Sequence, residues 1–284
     1  MSAISIIARL TFREAIRRRI MLAGLVLGIA FVILYSIGTH FIFEQIAESS
    51  AESMPSQMAA NILNAEATNT FMMMGLYAAT FLSIAMAALL GADTLAGEIN
   101  SGTIQTIATK PIRRADIVLG KWLGFAGLLG FYVLLLCGGI FLSVFIQTGY
   151  TPQNLLSGLG LIYMESILIM TITLMLSSAF PALATGGIVF GLYGLAFIGG
   201  WVEQFGAVLQ NSTAIKVGIV TSLIIPSESL WKRAAFEMQA PLTGTFGSPF
   251  TTTSVPSPLM MGYTLLYLIV VLFIAVRIFQ KRDL

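Results

Sequence analysis

The sequence predicts an all-α polytopic membrane protein with six transmembrane helices, and three observations predict it. Of 284 residues, 57% are hydrophobic and 10% charged, with mean hydropathy +0.89. Soluble domains carry about 25% charged residues, so this composition cannot make a water-facing surface. Six apolar runs come close to the roughly 20 residues that cross a bilayer core. The 15 Lys and Arg residues are also unevenly placed: five precede the first run, four lie between the second and third, and three close the chain. The positive-inside rule then places both termini and the central loop in the cytoplasm.

Residues 1–19 read as an interfacial helix. Arg9, Arg13 and Arg17 recur every four residues, while Ile4, Ile7 and Leu10 recur every three. That pattern sets apolar side chains toward lipid and arginines toward headgroups. The apolar run that follows is too long for the core of a signal peptide, and no small-residue cleavage site follows it. The first span covers about 20–43, with Gly24 and Gly28 spaced for close helix approach. His40, near its end, is a lone histidine and poor material for a metal site. Residues 44–70 carry Glu44, Glu48, Glu52 and Glu66 and no Lys or Arg, which suggests partly helical external structure.

The second span is about 71–90. Its triplet Met72, Met73 and Met74 cannot converge on one ion, because consecutive helical residues point in different directions. The segment 91–121 combines turn residues with Asp93, Glu98, Asp116, Lys110, Arg113, Arg114 and Lys121. It reads as a cytoplasmic loop with short helices of its own, placed to receive force from a soluble partner. The third span is about 122–147, with Trp122 as an interface anchor and Gly120 and Gly124 as a second close-approach pair. A turn at Gly149 and Pro152 leads to the fourth span, about 154–179, and Phe180-Pro181 marks an inner turn.

The fifth span, about 183–201, contains Gly186, Gly187, Gly191 and Gly194. Within the external segment 202–258, residues 215–225 are apolar but too short to cross, which suits a re-entrant or interfacial helix. Residues 228–238 form a candidate amphipathic helix, and 241–258 read as an irregular loop. The sixth span is about 259–279. Lys216, Lys232 and Arg233 fall on the external side and count mildly against this topology. An additional crossing at 215–225 would put the C-terminal basic cluster outside, a worse result.

No G-x-x-x-x-G-K-[ST] phosphate loop exists, so the chain cannot hold ATP in the Walker manner. Nor is there an HExxH, a CxxC or a nucleophile elbow. The single cysteine, Cys137, excludes an internal disulfide and any multi-cysteine metal site. One residue stands out inside a span: Glu165, with Thr171 and Thr173 nearby. Intramembrane carboxylates are costly and point to function by default. The competing reading is a hydrogen-bonded acid at a helix contact. A lone carboxylate without a basic partner argues against an ion-coupled carrier.

In the central loop, Glu98, Gly102-Thr103, Pro111, Arg114 and Gly120-Lys121 follow the pattern E-x-x-x-GT-(x)7-P-x-x-R-(x)5-GK. This resembles the first cytoplasmic loop of permeases of ATP-binding-cassette (ABC) transporters of the second exporter class. Pro226 followed by Ser227-Glu228-Ser229-Leu230-Trp231 is similar to the NosY-like branch of that family. The resemblance implies a permease subunit in a bacterial-type plasma membrane, paired with a second permease copy and seated on separate cytoplasmic ABC ATPases. Those ATPases would bind ATP and magnesium; the permease would bind no cofactor and catalyse nothing itself. It implies that Glu98, Gly102, Thr103, Pro111, Arg113 and Arg114 form or shape the coupling contact. In physical terms, Gly102 permits a tight turn, Pro111 fixes φ, and the arginines suit carboxylates or anionic lipid. Two rival readings are an intramembrane enzyme using Glu165 and a non-transporting scaffold that recruits a cytoplasmic protein.

Overall fold

A computed structural model of the chain describes residues 2–53, 57–100, 113–239 and 254–281. The described residues are mainly helical, with no strand among them. Ten helices are described: α1 Ala3–Arg17, α2 Arg19–Ser53, α3 Gln57–Ala92, α4 Thr94–Asn100, α5 Arg114–Thr148, α6 Leu155–Ser177, α7 Ala182–Val208, α8 Ser212–Ile224, α9 Ser227–Met238 and α10 Pro258–Lys281. Six of them, α2, α3, α5, α6, α7 and α10, are long and apolar enough to cross a membrane.

Three spanning helices overrun the bilayer. α2 and α5 have 35 residues each and α3 has 36, about 50 Å at 1.5 Å per residue against a hydrocarbon core of roughly 30 Å. Residues 44–53 and 57–70 therefore prolong the first and second spans as helix. The segment 91–121 is likewise shorter as a loop than hydropathy suggests. α3 runs to Ala92, and the third-span helix starts at Arg114 rather than 122. α7 continues past 201 to Val208. Hydropathy marks where side chains leave lipid, whereas a helix continues for as long as its backbone bonds and packing allow.

The second and fourth spans are the most enclosed and the first the least. The core runs along their shared faces through Met72, Met73, Leu76, Leu168 and Met170, with Leu129, Leu136 and Cys137 of the third span. Met74, by contrast, is exposed. The first span docks through its glycines. Gly24 lies against Met86, and Gly28 against Tyr132 and Leu136, while the Tyr132 hydroxyl donates to the Gly24 carbonyl at 3.1 Å.

After α7 the chain turns back on itself. Ala214 sits beside Gly206, Gly218 beside Glu203 and Thr221 beside Gly199, so α8 runs antiparallel to the end of α7 in direct backbone contact. A bend of 109° then separates α8 from α9. The pair returns toward the end of the bundle where it began, since α8 starts beside Gly206 and α9 ends beside Gly158. α9 crosses the start of α6, where Met238 presses on Gly158.

Candidate functional site

Two groups of polar residues are organised by this fold, one at each end of the bundle. At the first, contacts bring together α1, the start of α2, the α3–α4 corner, the start of α5 and the ends of α6 and α10. Thr11 and Ala15 of α1 are buried against α5. A Cβ at Gly120 would come within 2.6 Å of the Ile7 Cβ, and one at Gly124 within 2.8 Å of the Ala8 carbonyl. The absence of side chains there lets the helices touch. Ile7 thus faces the protein rather than lipid, and the Ile4 carbonyl lies beside Gly120. The exposed side carries Ile6, Leu10, Phe12 and Ile16 together with Arg9, Arg13 and Arg17, a mixture suited to an interface of acyl chains and headgroups.

The corner itself is held by ionic and hydroxyl contacts. Arg18 pairs with Glu14 at 2.7 Å and approaches Asp93 at 3.8 Å. The Thr94 hydroxyl donates to the Leu90 carbonyl. Leu95 is buried with Ile117, Val118, Leu174, Ala275 and Phe279, which seats α4 among the third, fourth and sixth spans. Arg113 is exposed at the N-cap of α5 with extended backbone, and Arg114 donates to the Gln280 carbonyl at 3.2 Å. Arg113 and Arg114 are therefore placed at the base of the elbow. Gly102, Thr103 and Pro111 lie outside the described residues, as does the side chain of Glu98, whose backbone belongs to α4.

Trp122, expected as an interface anchor, instead donates its indole N–H to the Thr171 hydroxyl at 2.8 Å. Thr171 and Thr173 donate to the Ile167 and Ile169 carbonyls and do not reach Glu165. Helix geometry explains this: a hydroxyl four residues above a carbonyl of its own helix satisfies itself there.

The second group lies toward the opposite end of the bundle and contains residues that sequence reasoning passed over. Glu165 is 1% exposed, and neither carboxyl oxygen has a hydrogen-bond partner. Glu228 of α9 is close enough to act on it electrostatically. Glu228 accepts a long hydrogen bond of 3.4 Å from the Tyr77 hydroxyl, which in turn accepts one of 3.1 Å from the Trp201 indole. The Tyr77 ring lies 4.8 Å from Trp231, centroid to centroid. One turn beyond Glu228, Lys232 forms a buried ion pair with Glu203 at 2.8 Å, and the Ser254 hydroxyl donates to Glu203 at 2.6 Å. Arg233 pairs with Glu237 at 2.6 Å. Two of the three basic residues that counted against the topology are thus matched by carboxylates. The Glu228/Lys232 spacing on one face of a short amphipathic helix was the available signal; Glu203, on another span, had none.

Elsewhere, His40 is exposed beside Glu44 at 3.5 Å, and no cluster of metal-binding side chains occurs among the described residues. Comparison with known proteins gives one clear result. The profile of a family described as ABC-2 family transporter protein matches residues 5–284. None of the curated proteins compared matches the chain.

Proposed function

The chain belongs to the ABC-2 family of transporter proteins, and from that premise we propose that it is a permease subunit driven by separate ATPases that seat on the elbow between its second and third spans. The observation that carries this reading is the arrangement at the inner end. A short helix, α4, leads into a charged segment and is packed among the third, fourth and sixth spans, while the chain has no phosphate-binding loop of its own. A push on the elbow would meet packed side chains rather than slack chain.

The same reading puts both termini and the elbow in the cytoplasm, where 12 of the 15 basic residues then lie (five, four and three). Glu98, Gly102, Thr103 and Pro111 shape the contact with the ATPase, and Arg113 and Arg114 supply charge for carboxylates on it. A second copy completes the transporter. Gly186, Gly187, Gly191 and Gly194 of the fifth span have open space beside them, and the first span is the least enclosed. Cargo moves outward along the seam between copies, lined by the first, second and fifth spans. The outer cluster around Glu165 then serves to anchor the re-entrant pair α8–α9 to the bundle.

Co-expression with the cognate ATPase and vanadate-sensitive ATP hydrolysis in lipid test this. Glu98→Ala and Gly102→Pro are expected to lower both complex recovery and hydrolysis at least ten-fold. Unchanged values for both variants would remove the elbow from the mechanism.

A further inference from the structure

The break between α3 and α4 is bridged from a different span. The Ser177 hydroxyl, on the last turn of α6, donates to the Ala92 carbonyl at 2.9 Å. It accepts from the Leu95 and Ala96 amides at 3.2 and 3.1 Å. One oxygen therefore closes the end of one helix and the beginning of the next. Helix termini leave backbone groups without partners, and a side-chain hydroxyl is the usual remedy, supplied by a residue adjacent in sequence. Here it comes from the fourth span, and Ser177 is fully buried.

One turn earlier on the same face of α6, Thr173 fills the space beside Gly91, where a Cβ would fall 2.8 Å from its methyl group. The corner and the fourth span thus meet along a two-residue seam, with no room for slippage at Gly91 and directional bonds at Ser177. The other end of α6 touches the re-entrant pair: Met238 lies on Gly158, and Asn154 donates to Glu237 at 3.1 Å. A single stiff helix joins the elbow's root to the external helices.

We propose that Ser177 is the positioning residue through which the fourth span takes up movement of the elbow. The proposal rests on the ATPase-coupling reading above. The three hydrogen bonds hold α4 in one orientation relative to α6, so displacement of α4 turns or lifts the fourth span instead of bending the corner. This is a contiguous physical link between two sites, and its coupling is measurable.

The test uses the full complex with the cognate ATPase in lipid nanodiscs. Leu156, 84% exposed at the outer start of α6, is replaced by Cys and labelled with an environment-sensitive fluorophore; the native Cys137 is buried. ATP with vanadate is expected to shift the emission of this parent. Ser177→Ala should leave complex recovery within two-fold and reduce the shift at least five-fold. Ser177→Thr, which keeps the hydroxyl, should restore at least half of it. A full shift in Ser177→Ala overturns the proposal while leaving the coupling reading intact. Loss of assembly in Ser177→Ala, or loss of the shift in Ser177→Thr as well, makes the residue a packing contact and also overturns it. A parent that binds the ATPase yet shows no shift sinks the coupling reading, and the proposal with it.

Discussion

At the end of the bundle that carries the α3–α4 corner, Arg113 is exposed and Arg114 donates to a backbone carbonyl. Toward the opposite end Lys232 is buried against Glu203 at 2.8 Å. The residue types are similar, but the surroundings differ. An exposed arginine such as Arg113 contributes little to folding, because water and salt screen it; Arg114 is half-buried and already engaged. Buried charges are available to nothing else. Taking them out of water costs several kcal/mol, and their attraction offsets that only with close pairing. The difference teaches that a charge here anchors where it is dry and paired, and contributes little to the fold where it is wet.

Substitutions at the two ends should separate these roles, beginning with the largest effect. Lys232→Met strands a buried carboxylate on Glu203 and is expected to destabilise the protein by about 3–5 kcal/mol, read as a fall in melting temperature in detergent. Adding Glu203→Gln should recover most of that loss. A double variant no better than the single one would show that the ion pair does not hold α9. Gly124→Leu forces α1 away from α5 and should cost about 1–3 kcal/mol through overpacking. Faster proteolysis at the N-terminus would report it; unchanged protection would mean that α1 is not seated as described.

Glu165→Gln probes the dry side without removing a pair. A buried carboxyl with no hydrogen-bond partner is a burden on stability, so the amide should leave the melting temperature equal or raise it by about 1 kcal/mol equivalent. Transport should persist. A large loss of transport at unchanged stability would make Glu165 a functional group instead. The smallest expected effect on folding comes from Arg113→Ala with Arg114→Ala, within about 0.5 kcal/mol. Recovery of the ATPase complex should nevertheless fall, and should depend on salt less steeply than the parent's, because the charges that salt screens are gone. Recovery equal to the parent's, with the same salt dependence, would break the contrast between the two ends.

Much of the fold was legible. Long apolar runs have one solution in lipid, a helix with its backbone bonds internal, so six crossings followed from hydropathy. Helix ends were less legible. Arg114–Lys121 is polar enough to look like loop, yet it is helical because α1 packs on Gly120 and Gly124. Glu165 stood out as an acid in an apolar run. Its neighbours Glu228 and Tyr77 did not, because each sits in a different stretch of chain and neither is unusual where it stands. Trp122 illustrates the same limit: an indole at a span's edge looks like an interface anchor until Thr171 of another span is seen to accept its hydrogen bond.

The sequence by itself determined the class, the number of crossings and the charged elbow, since each depends on local composition measured against the thickness and dielectric of a bilayer. Which charges pair, which hydroxyl closes the α3–α4 break and where α8 and α9 fold back were decided by tertiary structure. Those features depend on distances between residues remote in the chain. A buried charge or an open helix end accepts whichever partner the packing brings within bonding reach.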